Sequence, residues 1–381
     1  MYQYDELKTI HLEITERCNA ACPMCARNIN GGEVNPWIKD NELSLSDIKQ
    51  IFSQLDFLKQ LEHIYMCGNY GDPIVAQDTL EVFKYFRECN PNILLSMNTN
   101  GSARTVEWWS ELAKVLGNRG HVIFSIDGLE DTNMIYRKNT IWSKIIENVK
   151  SFIDAGGEAH WEFIVFKHNQ HQVDQARELA STLGFKKFQV KKSARFLTAS
   201  GSSRSVVRSV DRKGNEILIE EPTLAEYQNA GTKVAKQLAR EQEIIFPTRK
   251  IDLLGRLNPE MFDPNSELQK LYDTTEISCK VQKEKSLYIS AEGVLQPCCW
   301  VAGQMYNWYH TPKGSQIWKL INVVGKDNIN ALKQPIKDIV ESKYFQSMFN
   351  DSWNKKSCTD GKLQICAKTC GKIDAFAHQY N

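Results

Sequence analysis

The sequence predicts an α/β protein, a partial (βα)6 barrel followed by a small cysteine-rich domain. Two observations predict the barrel. Between residue 9 and about residue 192, short β-like runs alternate with amphipathic runs of helical period. Six such units imply a parallel sheet flanked by helices, and six are fewer than the eight that close a full barrel, so the sheet is expected to stay open. A third observation sets the C-terminal region apart: six of the eleven cysteines fall after residue 278.

The strand candidates, in order, are "IHLEI", "HIYMC", "ILLSM", "VIFSI", "WEFIVF" and "FQVKK". In "SLSDIKQIFSQLDFLKQL", Ile48, Ile51, Phe52, Leu55 and Leu58 recur at helical spacing, with Ser44 or Ser46 as N-cap. "TVEWWSELAKVLG", "IWSKIIENVKSFIDAGG" and "HQVDQARELASTLG" each end in glycine, as helices with a left-handed C-cap do. Past residue 196 the rhythm stops. "TASGSSRS" reads as a linker, "VDRKGNEILIEEPT" as a hairpin around Lys213-Gly214, and "LAEYQNAGTKVAKQLAREQ" as a helix. The division expected is a barrel over 1–196, a connector over 197–276 and a cysteine-rich domain over 277–381, the last including a helical stretch, "ALKQPIKDIVESKYFQSMF".

Lys and Arg number 47 against 46 Asp and Glu, so no global field attracts polyanions and nucleic acid is not the expected partner. No basic segment followed by an apolar run opens the chain, and no stretch reaches about 18 consecutive apolar residues. Neither a secretory signal nor a membrane span is expected, and the expected location is the cytoplasm. In that reducing compartment cysteines serve as metal ligands, catalytic thiols or core packing more than as disulfides.

"CNAACPMC" (18–25) sets Cys18, Cys22 and Cys25 at C-x3-C-x2-C in the loop after the first predicted strand. Three is odd for disulfides and one short of a structural zinc site. Thiolates are soft ligands that suit zinc or iron–sulfur clusters. A cubane ligated at three irons leaves its fourth iron open to a small chelating molecule.

In these residues the chain resembles the radical SAM enzymes, whose cluster loop carries this spacing after the first strand of a partial barrel. The resemblance implies a [4Fe–4S] cluster on Cys18, Cys22 and Cys25, with S-adenosylmethionine on the open iron. The residue before the last cysteine is usually aromatic and lies near adenine; here it is Met24. "CGNYGDP" (67–73) stands where the family has a Gly-Gly-Glu-Pro-like turn for the methionine amino group, with Asp72 in place of the glutamate and Gly71 letting the backbone approach. "NTNG" (98–101) brings Asn98 and its neighbours near the cluster. "SIDGLEDTNMIYRKNT" (125–140) resembles the family's Ser-x-Asp-Gly…Arg segment. Ser125 and Asp127 then face the ribose or the substrate, and Arg137 a carboxylate, for which a guanidinium's paired donors are suited. Asn169 is a further candidate contact. His168 and His171 lack a nearby cysteine or acid to complete a metal set. Cys67 and Cys89 read as core residues, although Cys67 ends a strand beside the proposed site and a catalytic role stays open.

The second group runs Cys279-x13-Gly293-x4-Cys298, then Cys299, then Cys358-x7-Cys366-x3-Cys370. Its first half resembles the opening of the SPASM/twitch extension behind many radical SAM barrels. "SLYIS" and "VLQPC" flank an Ala-Glu-Gly turn, which brings both ends together. Its second half lacks one C-x2-C pair and ends without a further cysteine. Two cubanes need four thiolates each, so six cysteines imply a single auxiliary [4Fe–4S] cluster. Its ligands would be Cys279, Cys298, Cys370 and one of Cys358 or Cys366; a structural zinc site is the other reading.

By resemblance, a flavodoxin or ferredoxin reduces the first cluster, S-adenosylmethionine is cleaved to a 5′-deoxyadenosyl radical, and that radical abstracts a substrate hydrogen. No general acid or base stands out in the sequence. Enzymes with this extension most often modify or cross-link peptides and proteins. Only about eight residues precede the first strand, so a separate peptide-recognition protein is expected. The alternatives are oxidation or rearrangement of a small molecule such as an aminosugar or nucleoside, and a non-catalytic iron–sulfur protein.

Overall fold

The computed structural model describes residues 1–196, 204–230, 233, 267–307 and 314–372. All six strand candidates form strands: β1 (Thr9–Leu12), β2 (His63–Met66), β3 (Leu94–Thr99), β4 (Gly120–Ser125), β5 (Glu158–Val165) and β6 (Lys187–Lys192). They lie side by side in chain order and every pair is parallel. The connecting helices are α1 (Leu45–Ile51), α2 (Leu55–Gln60), α3 (Thr79–Cys89), α4 (Val106–Leu116), α5 (Asn133–Tyr136), α6 (Trp142–Asp154) and α7 (Val173–Leu183).

Period-two alternation decides the two faces of the sheet. Ile10, Leu12, Ile64, Met66, Leu95, Met97, Val122, Phe124, Trp161 and Phe163 join the helices in one buried apolar core. The alternate residues face the other way and are mostly polar: His11, His63, Tyr65, Ser96, Asn98, His121, His160, Glu162 and Lys191. Rings pack across this inner face, with His11 stacked on Tyr65 at 4.4 Å and His121 on His160 at 4.5 Å.

Two helical expectations change in detail. The run from 44 to 61 is two helices, because Phe52, the C-cap residue of α1, leaves helical geometry. The break lets Phe52, Phe57 and Leu58 all reach the core while Leu55 stays 52% exposed, so Leu55 is not the core residue its spacing implied. Ser44, rather than Ser46, caps α1: its hydroxyl accepts from Asp47 N–H and the Asp47 carboxylate accepts from Ser44 N–H, a reciprocal box. Helix α7 ends as expected, with Gly184 left-handed at φ +90°.

Beyond the barrel, β7 (Val206–Val210) and β8 (Glu216–Glu220) form the expected hairpin, begun earlier than the sequence indicated. Of the helix expected over 224–242, the described part holds a 3-10 turn at Ala225–Tyr227; the remainder lies mostly outside the described residues. The linker "TASGSSRS" likewise falls almost wholly outside them.

The C-terminal region adds α8 (Glu267–Thr274), α9 (Lys280–Glu284), β9 (Ser286–Ile289), β10 (Leu295–Gln296), α10 (Cys299–Ala302), α11 (Gln316–Val324), α12 (Ile336–Val340), α13 (Phe349–Trp353) and α14 (Gln364–Cys370). The helical stretch expected over 331–349 is divided: α12 ends at Val340, and a π turn at Tyr344–Met348 leads into α13. Strands β9 and β10 make the predicted hairpin, yet they do not form a sheet of their own. Strand β9 pairs in parallel with β1, Ile10 opposite Leu287, so one eight-stranded sheet runs β10-β9-β1-β2-β3-β4-β5-β6. Among the described residues no helix is long and apolar enough to cross a membrane.

Candidate active site

The three leading cysteines follow β1 on a loop held from two sides. Ala21 N–H donates to the Lys138 carbonyl at 2.9 Å, and Cys25 N–H to the Cys22 carbonyl at 3.1 Å. Cys22 is buried, Cys18 and Cys25 half-buried. Donors surround the sulfurs: Ala20 N lies 3.4 Å from Cys18 Sγ, Asn100 Nδ2 4.0 Å from the same atom, and Arg137 Nη1 3.9 Å from Cys22 Sγ. Burial pushes the Cys22 thiol up to about 11, opposed by the Arg137 charge. Burial and then the Asp72 carboxylate raise Cys18 further. Thiols so placed become thiolates when a metal displaces the proton, and the donors then answer the sulfur charge. The set fits an iron–sulfur cluster.

Arg137 is fixed before any ligand arrives. Its Nε donates to Asp127 Oδ2 at 2.6 Å, and Asp127, fully buried, also accepts from Ile164 N–H. Burial opposes the guanidinium charge, and Asp127, Cys22 and Tyr136 together outweigh it. The pair therefore holds Arg137 against the cysteine loop, and Asp127 is committed to that task.

The structure brings most of the candidate residues together, in roles that differ from one to the next. Asp72 accepts from Asn100 N–H at 2.7 Å, from Asn100 Nδ2 at 2.6 Å and from Ile74 N–H at 3.2 Å. It thus aims Asn100 at Cys18. A Cβ on Gly71 would stand 1.8 Å from the Thr15 carbonyl, so this glycine serves the packing of its loop against the cysteine loop. Met24 packs in a small cluster with Cys22, Tyr136, Phe166 and Phe196, and its carbonyl accepts from Arg195 Nη1 at 2.7 Å. Asn98 and Ser125 are half-buried at the ends of β3 and β4 on the inner face. Asn169 braces the end of β5: its amide donates to the Asp127 and Ile164 carbonyls and its oxygen accepts from Phe166 N–H. His168 stacks on Phe166.

Sequence reasoning missed two residues. Asn100 sits inside the quoted "NTNG" but was passed over for Asn98. Glu13, fully buried just past β1, accepts from Tyr70 N–H at 2.7 Å, Gly71 N–H at 3.2 Å and the Tyr288 hydroxyl. Burial raises its carboxyl to about 7 against those hydrogen bonds. The sequence signal available was a charged residue on the inner-facing phase of β1.

The second cysteine group converges on one cavity. Cys279, Cys298, Cys366 and Cys370 line it, walled by apolar side chains including Trp300 and Trp353. The sequence left Cys358 and Cys366 as alternatives; only Cys366 lines the cavity, while Cys358 packs with Tyr272 and Ala367. Burial raises all four cavity thiols, Cys279 to about 11. The buried Trp353 indole N–H in the cavity wall faces the Cys366 sulfur and opposes the rise that burial causes there. Four soft donors on one cavity suit either group the sequence left open, an auxiliary cluster or a zinc ion.

Residues 12–180 match the model of the radical SAM superfamily. Over 102 residues the chain is 28% identical to the FeMo cofactor biosynthesis protein NifB of Methanocaldococcus jannaschii, covering 26% of this chain and 33% of that protein. Over 186 residues it is 26% identical to the tungsten-containing aldehyde ferredoxin oxidoreductase cofactor-modifying protein of Pyrococcus furiosus, 47% of this chain and 49% of the other. The chain thus spans about a third to a half of the length of these relatives. Among solved structures, Streptococcus suis SuiB bound to S-adenosylmethionine superposes with a TM-score of 0.54 at 15% identity, over 96% of this chain and 73% of SuiB. Native anSMEcpe with bound AdoMet gives 0.51 at 14%, over 98% and 94%. At such identities these likenesses speak for the fold. Cysteine spacing, sheet topology and family match converge on residues 12–180, which carry a radical SAM domain match; enzymes of that superfamily work with a [4Fe–4S] cluster and S-adenosylmethionine.

Proposed function

We propose that this protein is a radical SAM enzyme that oxidatively modifies or cross-links a peptide or protein, assisted by one auxiliary [4Fe–4S] cluster. The observation that carries the reading is the meeting of two thiol sites on one sheet. Cys18, Cys22 and Cys25 follow β1, and the cavity of Cys279, Cys298, Cys366 and Cys370 borders the hairpin paired to β1. Bound at the first site, cluster and nucleotide supply reductive cleavage of the sulfonium and, through it, hydrogen-atom abstraction.

The chain's own residues then have separable tasks. Arg137, steadied by Asp127, offsets the charge gathered at Cys22. Asp72 orients Asn100 toward Cys18. On the inner face, Glu162 and Lys191 pair at 3.0 Å and offer both charges to a polar substrate. The second cavity, with apolar walls, shields its occupant from water.

A peptide substrate is supported by SuiB bound to precursor peptide SuiA and by anSMEcpe with bound AdoMet and Cp18Cys peptide, which share the fold. A second reading, modification of a small molecule or a metallocofactor, is favoured by the sequence relatives, whose names concern cofactor biosynthesis and modification. A flavodoxin or ferredoxin is the expected electron donor and the cytoplasm the expected location. The domain division over 1–196, 197–276 and 277–381 is retained as part of this reading.

Anaerobic incubation of the reconstituted protein with S-adenosylmethionine and dithionite is expected to yield 5′-deoxyadenosine, and Cys18→Ala none. Absence of product from the wild type would leave a non-catalytic iron–sulfur protein. Incubation with short peptides encoded beside the gene, followed by mass spectrometry, separates the two substrate readings: a mass change in a peptide supports the first, and none the second.

A further inference from the structure

The loop Cys67–Asp72 is gripped from the C-terminal region at several points. Asn69 Nδ2 donates to the Cys299 carbonyl at 2.9 Å, and the Tyr70 hydroxyl to the Gly303 carbonyl at 3.3 Å. Both carbonyls belong to α10 and its end, and the N-cap of α10 is Cys298, whose side chain lines the second thiol cavity. A third link runs through Glu13, which accepts from Tyr70 N–H and Gly71 N–H on one oxygen and from the β9 residue Tyr288 on the other.

The loop has no slack to absorb a displacement. A Cβ on Gly68 would meet the Gly71 carbonyl at 2.3 Å, and one on Gly71 would meet Thr15 O at 1.8 Å. Asp72 N–H donates to the Arg17 carbonyl at 2.9 Å, beside Cys18. At the far end of the loop, Asp72 holds Asn100, whose Nδ2 lies 4.0 Å from Cys18 Sγ. A path of backbone and hydrogen bonds therefore joins Cys298 to Cys18: along the chain to Cys299, by hydrogen bond to Asn69, along the loop to Asp72, and by hydrogen bonds through Asn100.

We propose that Asn69, Tyr70 and Glu13 are positioning residues that make S-adenosylmethionine affinity at the first cluster depend on occupancy of the Cys279/Cys298/Cys366/Cys370 cavity. This rests on the functional reading above and adds to it a coupling between the two sites. Filling the cavity fixes Cys298 and with it α10; α10 fixes the loop; the loop fixes Asn100 beside Cys18. Coupling of this kind is reciprocal, so the nucleotide in turn strengthens retention of whatever fills the cavity.

The test is equilibrium binding of S-adenosylmethionine to anaerobically reconstituted full-length protein, with iron counted in parallel. Cys366→Ala, keeping ~4 iron atoms at the first site, is expected to weaken binding roughly tenfold. Asn69→Ala and Tyr70→Phe are expected to weaken binding with both sites filled, and to add nothing when combined with Cys366→Ala. Binding within about twofold of wild type in Cys366→Ala overturns the coupling, as do effects of Asn69→Ala and Cys366→Ala that simply multiply. A second measurement needs no cavity variant. S-adenosylmethionine must raise the chelator concentration that strips the second cluster from the wild type, and must fail to do so in Asn69→Ala; no shift in the wild type overturns the proposal. A wild type that binds no S-adenosylmethionine overturns the functional reading itself, whereas normal binding without coupling overturns this inference alone.

Discussion

Glu13 concentrates the residue-scale physics of the site. With its carboxyl raised to about 7, the native state keeps a proton that the unfolded chain gives up from about pH 4.3 upward. This stabilising contribution is therefore fully present below that value and is lost as pH rises through about 7, on the order of 3 kcal/mol in all. Among the groups facing Glu13, burial holds His11 down to about 4 and raises Tyr70 and Tyr288 well above their usual range; Glu16 is raised in the same direction as Glu13, chiefly by its own burial. Urea unfolding of metal-free protein should show Glu13→Gln gaining on the wild type between about pH 4.5 and 7 and level above it. A difference constant with pH would mean that Glu13 ionises as freely as in water. The three leading cysteines were legible because spacing along the chain is itself the signal. Glu13 and Asn100 were not, since alternation marks two faces of a strand without saying which is lumen and which is solvent. Asp72 was found for its place in a turn, and only the fold reveals that its partner is Asn100.

At the scale of elements, the strands and most helices were legible because local period reports burial directly. The exceptions are where tertiary packing overrides a local pattern. One helix over 44–61 would satisfy propensity, yet a break after α1 lets Phe52 and Phe57 both face the core. Likewise no spacing rule separates Cys358 from Cys366; the turn 357–363 and α14 do so by pointing one thiol toward Tyr272 and the other into the cavity. Cys366→Ala is accordingly expected to lower reconstituted iron from ~8 to ~4 atoms per chain, and Cys358→Ala to leave it near ~8, as read by colorimetric iron assay. Loss of iron from Cys358→Ala instead would reverse the assignment. Within the core, Trp161 packs tilted against Phe185 and edge-on to Phe188, with its indole N–H on the Ile126 carbonyl at 2.8 Å. Trp161→Ala should cost about 3–5 kcal/mol in chemical denaturation.

For the whole molecule, sequence separates a barrel from a cysteine-rich domain, and the fold joins them. Strand β9 covers the edge of β1 that would otherwise be open, and Tyr2 on the other side donates its hydroxyl to the Ser286 carbonyl. This pairing was not legible because parallel strands far apart in sequence leave no local mark of their register. A chain ending at residue 276 is expected to be insoluble or to bind hydrophobic dyes, since it loses β9, β10 and the apolar residues that Leu287 and Ile289 contribute to the common core. Recovery of a soluble fragment with a cooperative melt would show that the first six strands suffice.

The β1–β9 ladder also fixes an order of events during synthesis. Thr9 leaves the ribosome early, but its partner Ser286 is added only after most of the chain. At about 5–20 residues per second, the nascent polypeptide carries an uncovered strand edge for tens of seconds, a template for association with neighbouring chains. Ribosomes along most of the message should therefore hold chaperone on their nascent chains until the hairpin emerges, and iron delivered during that interval meets the first cysteine loop before its neighbour exists.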